Sequence, residues 1–149
     1  MPRARTVLSS TCLLAVALGC LFVAGCARGS PDEHLTKGER LLSAGKKKEA
    51  IAEFTKAIEI DAKCVKAYLN RAMCYNETGQ PKRAVADFSK AIELDPTDAY
   101  SYDQRAILYR TVLNEPSKAA ADMAKAEAIR DKRWDELKDL RKQQPKRRR

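Results

Sequence analysis

Five cysteines and one histidine are the residues of this 149-residue chain best suited to bind a metal or to attack a carbonyl. Zinc takes Cys and His ligands at short, characteristic spacings. His34 stands alone, and no Cys-x-x-Cys pair occurs. A Ser-His-Asp arrangement would rest on that single histidine. No Gly-x-Ser-x-Gly elbow, phosphate loop or His-Glu-x-x-His motif is present. His34 falls at the start of a predicted helix, where it reads as a partly exposed packing residue. The acid pairs Asp32-Glu33 and Asp135-Glu136 are adjacent, so on a helix their members point to different sides. They suit helix N-termini better than paired acid–base work. The residues therefore point to no enzyme, no cofactor and no metal.

Three cysteines, Cys12, Cys20 and Cys26, fall in the first 26 residues. Arg3 and Arg5 are followed by 22 uncharged residues up to Arg28. A basic start, an apolar stretch and small residues at its end make a secretory signal. Its end, Val23-Ala24-Gly25-Cys26, resembles the lipobox of bacterial lipoproteins. That resemblance implies cleavage before Cys26 and a diacylglycerol on its sulfur. Residues 1–25 are then a signal peptide and 26–30 a lipidated N-terminus with a short linker. An ordinary signal peptide and an uncleaved anchor helix remain open, since 22 uncharged residues can span a bilayer.

Cys64 and Cys74 are ten residues apart on one predicted helix, about 15 Å along its axis. A disulfide needs Cα atoms within about 7 Å, so both are expected to pack as small apolar residues. Charge is equally uneven. Lys plus Arg is 29 and Asp plus Glu is 20, a net +9. Arg3 and Arg5 lie in the signal, and six basic residues with no acid lie in 141–149. The body between them holds 21 basic against 20 acidic residues and is nearly neutral.

A shift of 34 residues aligns Leu41 with Tyr75 and Tyr109, Gly45 with Gly79, Ala50 with Ala84, Phe54 with Phe88, and Ala57 with Ala91. Tyr68, Arg71 and Ala72 align with Tyr102, Arg105 and Ala106. The pattern resembles the tetratricopeptide repeat (TPR). Residues 31–64 and 65–98 read as two good copies. A third, 99–130, takes one inserted residue near Asn114-Glu115-Pro116, so that Ala119, Met123 and Ala126 occupy the Ala, Phe and Ala positions.

Ala50, Phe54 and Ala57 follow i, i+4, i+7 spacing and share one helical face. Gly45 and Gly79 sit where a helix ends in left-handed backbone. Pro81 and Pro116 suit a first helical turn. Ser30-Pro31-Asp32-Glu33 reads as a capped helix start. Helices are predicted near 31–44, 47–59, 63–77, 81–93, 98–112 and 116–129. A seventh, 131–143, carries Trp134, Leu137 and Leu140 as a narrow apolar stripe, and is expected to fold back as a cap on the last repeat. The expected fold is an all-α TPR solenoid of three antiparallel helix pairs plus this capping helix, followed by a disordered basic tail, 144–149.

The resemblance also implies a concave groove lined by the first helix of each pair. Its positions here are Asp32, Leu35, Glu39, Leu42 and Ser43, then Lys66, Leu69, Met73, Asn76 and Glu77, then Tyr100, Asp103, Ile107, Arg110 and Thr111. Leu69, Met73, Tyr100 and Ile107 could seat an apolar anchor, with Asn76 and Arg110 hydrogen-bonding a peptide. The carboxylate clamp of chaperone-binding TPRs is missing. Its positions hold Leu35, Glu39, Asn70, Tyr100 and Gln104, and only Asn70 matches. Arg71 and Arg105 occupy equivalent positions and are expected to lay their stems between helices, with heads at the edge.

The function these features imply is a membrane-anchored protein–protein interaction scaffold of the bacterial cell envelope. It would bind a protein or peptide segment in the groove and be held through its lipid on the outer side of the inner membrane or in the outer membrane. The alternative is a mainly structural envelope protein held by lipid and tail. The tail suits anionic lipid or another anionic envelope polymer better than nucleic acid, since no aromatic interleaves its basic run. Edge-to-edge homodimerisation is a further expectation for so short an array.

Overall fold

The computed structural model describes residues 29–143. The signal segment 1–25, Cys26 and the tail 144–149 lie outside them. The described residues form six α-helices: α1 Pro31–Ser43, α2 Lys47–Ile60, α3 Val65–Glu77, α4 Pro81–Leu94, α5 Ala99–Thr111 and α6 Pro116–Gln143. Each start and stop has a local cause. Pro31, Pro81 and Pro116 occupy first turns, where no amide donor is missed. The Ser30 hydroxyl accepts a hydrogen bond from the Glu33 amide, and the Asp98 carboxylate accepts from the Tyr100 and Ser101 amides. Gly45 and Gly79 both take φ 74° after the first helix of their pairs. Asn114, at φ 54°, does so after α5. Asn is among the few other residues that accept this region readily.

Short turns make consecutive helices antiparallel. They pack as the pairs α1–α2, α3–α4 and α5–α6, with α2 on α3 and α4 on α5 joining the pairs into a solenoid. The apolar interior is correspondingly divided into three clusters rather than gathered at one centre. Ala50, Ala57, Ala84, Ala91 and Ala126 are fully buried at helix crossings. Phe54 and Phe88 fill the layers, each packing with a residue of the next pair, Cys74 and Leu108. Gly38 lies against the Phe54 ring, and a Cβ there would run into it. Cys64 and Cys74 are both free thiols, with Cys74 fully buried in the first cluster. Both do the packing work expected of them.

Two expectations about the C-terminal part need correction. Met123 takes the Phe position of the third repeat, and the inserted residue is placed correctly, since Ala119 and Ala126 are buried. Yet Met123 is 46% exposed, because no following pair covers it. The separate capping helix 131–143 does not exist as such: α6 runs unbroken from Pro116 to Gln143. Residues 117–143 contain no Gly or Pro and are rich in Ala, Lys, Glu, Arg and Leu, so nothing stops the helix near 130. Trp134, Leu137 and Leu140 are 59%, 51% and 57% exposed and cap nothing. No helix among the described residues is long and apolar enough to cross a membrane.

Candidate functional site

The first helices of the three pairs form one layer. The Asn70 amide on α3 donates to Glu39 on α1 at 3.3 Å. The Tyr100 hydroxyl on α5 donates to the Met73 sulfur on α3 at 3.6 Å. These contacts bring Glu39, Met73 and Tyr100 onto a shared face. Leu42 is half-sunk against the first core cluster, and Leu69 and Met73 against the second. Tyr100 and Ile107 each remain 43% exposed. Lys66, Asn76 and Arg110 are exposed on the same helices. The face therefore offers an apolar strip built from Leu69, Met73, Tyr100 and Ile107. Lys66 and Arg110 are its cations with no ion pair among the described residues.

Two predicted groove residues are committed elsewhere. Asp103 accepts from Arg130 of α6 at 2.6 Å, and Glu77 pairs with Lys47 of α2 at 2.9 Å. Both turn toward the outer layer of helices, which weakens their case as ligand contacts. The clamp positions agree with the sequence: Leu35 is 9% exposed, and Asn70, the one match, is bonded to Glu39. Among the described residues no cluster of His, Cys, Asp and Glu is arranged to hold a metal ion.

A second constellation lies between the layers. The Arg71 guanidinium donates to both Asp87 oxygens, at 2.7 and 2.8 Å, and to the Thr55 hydroxyl at 3.0 Å. One repeat further on, Arg105 donates to both Asp122 oxygens, at 2.8 and 2.7 Å, and to the Ser89 hydroxyl at 2.8 Å. Each arginine thus joins the two helices of its own pair and reaches back to the pair before. Tyr68 and Tyr75 flank Arg71, and Tyr102 and Tyr109 flank Arg105, with centroids 5.7 to 5.9 Å away. Burial opposes the charge on Arg71, but the bonds to Asp87 outweigh it and raise its pKa above the ordinary guanidinium value. Hydrogen bonding to Asp122 raises that of Arg105.

In the first repeat Glu53 takes the carboxylate position. His34 Nδ1 donates to it at 2.7 Å, and Lys37 and Lys56 at 3.1 and 3.0 Å. The His34 bond, opposed by burial and assisted by the lysines, brings the Glu53 pKa from 4.5 down to about 2. The two arginines were legible as a repeat feature, but their partners were not identified from sequence. The signal existed: Glu53 and Asp87 are 34 residues apart, and Asp122 follows once the insertion is counted. These carboxylates have every acceptor engaged by structural partners, which makes them rivets rather than reactive groups.

Family models of the tetratricopeptide repeat match residues 35–64 and 65–98. No curated protein is found as a sequence relative. Among solved structures, MamA is similar at TM-score 0.70 and 20% identity, over 71% of this chain and 61% of that one. The second TPR of Spaghetti (RPAP3), bound to the HSP90 peptide SRMEEVD, is similar at TM-score 0.64 and 24% identity, over 68% of this chain and 94% of that one. YrrB, a TPR protein with an unusual peptide-binding site, is similar at TM-score 0.63 and 22% identity, over 69% of this chain and 53% of that one. The match thus spans about three-fifths of the MamA chain and half of the YrrB chain. Residues 35–98 are tetratricopeptide repeats, and the six described helices form a TPR-type solenoid.

Proposed function

We propose that this protein is an interaction scaffold of the bacterial envelope, which binds an extended segment of a partner protein along the face of α1, α3 and α5. The observation that carries the reading is the apolar strip on that face. Tyr100 and Ile107 are large side chains left 43% exposed on a helix whose other apolar residues are buried or, for Tyr109, half-buried. They lie beside Met73, with Lys66 and Arg110 at hand. A segment with one or two apolar anchors and acidic flanks fits this face. The RPAP3 repeat with its bound peptide and YrrB with its peptide-binding site are precedents for peptide capture by the same fold.

The test is a peptide array of envelope-protein segments probed with the wild-type chain and with the Met73→Glu/Arg110→Glu double variant. Arg110 is exposed and Met73 half-buried, so circular dichroism of the variant checks that the fold is kept. At least tenfold weaker binding by the variant supports the groove. Equal binding places the partner elsewhere, or leaves the domain mainly structural.

The same proposal places the chain on a membrane through Cys26, on the strength of the Val23-Ala24-Gly25-Cys26 sequence. Gly29 and Ser30 already lead into α1, so the domain would sit close to the bilayer. Loss of palmitate label in Cys26→Ser supports this; retained label refutes it.

A further inference from the structure

The two termini of the described domain leave by the same edge. The helices alternate in direction, so α1, α3 and α5 begin at one edge of the solenoid, and α6 runs back toward it. The Arg133 guanidinium donates to the Thr97 carbonyl at 3.5 Å, which sets Arg133 level with the start of α5. Residues 134–143 of α6 therefore project beyond that edge by about 15 Å. Gly29 and Ser30, which lead into Pro31, lie at that edge too. The three residues from Gly29 to Cys26 can span only about 10 Å.

The projecting part is not a generic polar helix. Leu137 and Leu140 each follow by three turns the residues Ala126 and Ile129, which pack on α5. They continue the buried face of α6 past the point where α5 can cover it. Trp134 flanks them, and all three are more than half exposed. The acids of this part are largely spent: Asp135 pairs with Lys138 at 3.0 Å and Asp139 with Lys142 at 2.9 Å. Arg141 lies beside the apolar stripe, and residues 141–149 carry six basic residues and no acid. An apolar strip with an aromatic at its border and a basic run at its end suits an anionic bilayer surface. Antiparallel pairing of this helix with a second copy about Leu137 would set Arg133 against Arg141, which disfavours that occupant.

We propose that the projecting end of α6, with Trp134, Leu137, Leu140 and the basic residues after them, is a second membrane contact that docks on anionic lipid. Together with Cys26 it would hold the solenoid upright on the bilayer, with its first-helix edge facing the lipid. The placement rests on the export reading above, but the lipid contact is tested independently of Cys26.

Trp134 is the only tryptophan, so its fluorescence reports this site in the full-length protein. The protein is reconstituted into vesicles of phosphatidylcholine alone or mixed with phosphatidylglycerol. The expected result is a blue-shifted emission, quenched by brominated acyl chains and shielded from aqueous iodide, with phosphatidylglycerol only. Leu137→Glu/Leu140→Glu should abolish the shift and leave palmitate labelling of Cys26 unchanged. Neutralising Lys146, Arg147, Arg148 and Arg149 to Gln should weaken the phosphatidylglycerol titration more than tenfold, at roughly fivefold per residue. Three results would overturn the proposal: Trp134 open to iodide in both lipids, equal shifts in both, or shielding that follows protein concentration without lipid, which would assign the stripe to a second copy. A Cys26→Ser protein that keeps its palmitate label would sink lipidation at Cys26 alone, and the Trp134 shift would still decide the lipid contact of α6.

Discussion

Arg71 donates two hydrogen bonds to Asp87 and a third to Thr55, so one side chain ties together three helices, α2, α3 and α4. The Asp87 side chain is only 9% exposed. Truncation of Arg71 would leave that carboxylate buried without a cation, which typically costs about 3 kcal/mol or more. Arg71→Ala is expected to lower the melting temperature by more than about 10 °C in a thermal unfolding scan. Arg71→Met with Asp87→Leu should recover much of the loss, because no charge is then left unpaired. A small effect of Arg71→Ala would mean the fork is ornamental. The first repeat differs, since a histidine and two lysines surround Glu53. With its pKa held near 2 in the fold against 4.5 ordinarily, Glu53 contributes stability that is complete above about pH 4.5. That contribution, about 3 kcal/mol, disappears as the pH falls through about 2. Denaturant titrations from pH 6 to pH 2 should show this acid limb, and Glu53→Gln should flatten it while lowering stability at neutral pH.

Helix α6 separates what sequence could reveal about an element from what it could not. Periodicity gave the positions of the small residues and the turns, because Ala at a crossing and Gly at φ 74° have direct steric causes. It also gave the insertion in the third repeat, since Ala119 and Ala126 are buried in the shifted register. The same periodicity misread residues 131–143. A stripe of Trp134, Leu137 and Leu140 looks alike whether it caps a neighbour or stands free, because amphipathicity records a face and not what covers it. Helix-stop signals were the better guide, and there were none between Pro116 and Gln143. The buried carboxylates were missed for a related reason: Glu53, Asp87 and Asp122 are polar residues on otherwise apolar faces, and only a partner on another helix reveals why burial is tolerated. The groove was legible as a set of positions, but which of them spend their charge inside the fold, as Asp103 and Glu77 do, depends on the neighbouring outer helices. A consequence can be measured on α6. Since Trp134 is 59% exposed, Trp134→Ala should change unfolding free energy by no more than about 0.5 kcal/mol. A capping anchor would cost several times that.

At the scale of the whole molecule, stability is a sum over neighbours. Each helix packs against its neighbours in the chain, α6 on α5 alone, and the further contacts between α1 and α3 also join adjacent pairs. The middle pair, α3–α4, is covered on both sides. The α5–α6 pair is covered on one, and its Met123 and Ile107 lie open. In such an array damage should stay local. Arg105→Ala removes the fork to Asp122 and the reach to Ser89, weakening both the third pair and its seam with the second. Native-state hydrogen exchange should then show protection lost first in 99–130, partly in 81–94 and least in 31–60. The segment beyond Arg133 should be weakly protected even in the wild type, because residues 134–142 are all exposed. If Arg105→Ala instead lowered protection equally from α1 to α6, the three clusters would be acting as one cooperative core. The nearest-neighbour description would then fail for an array this short.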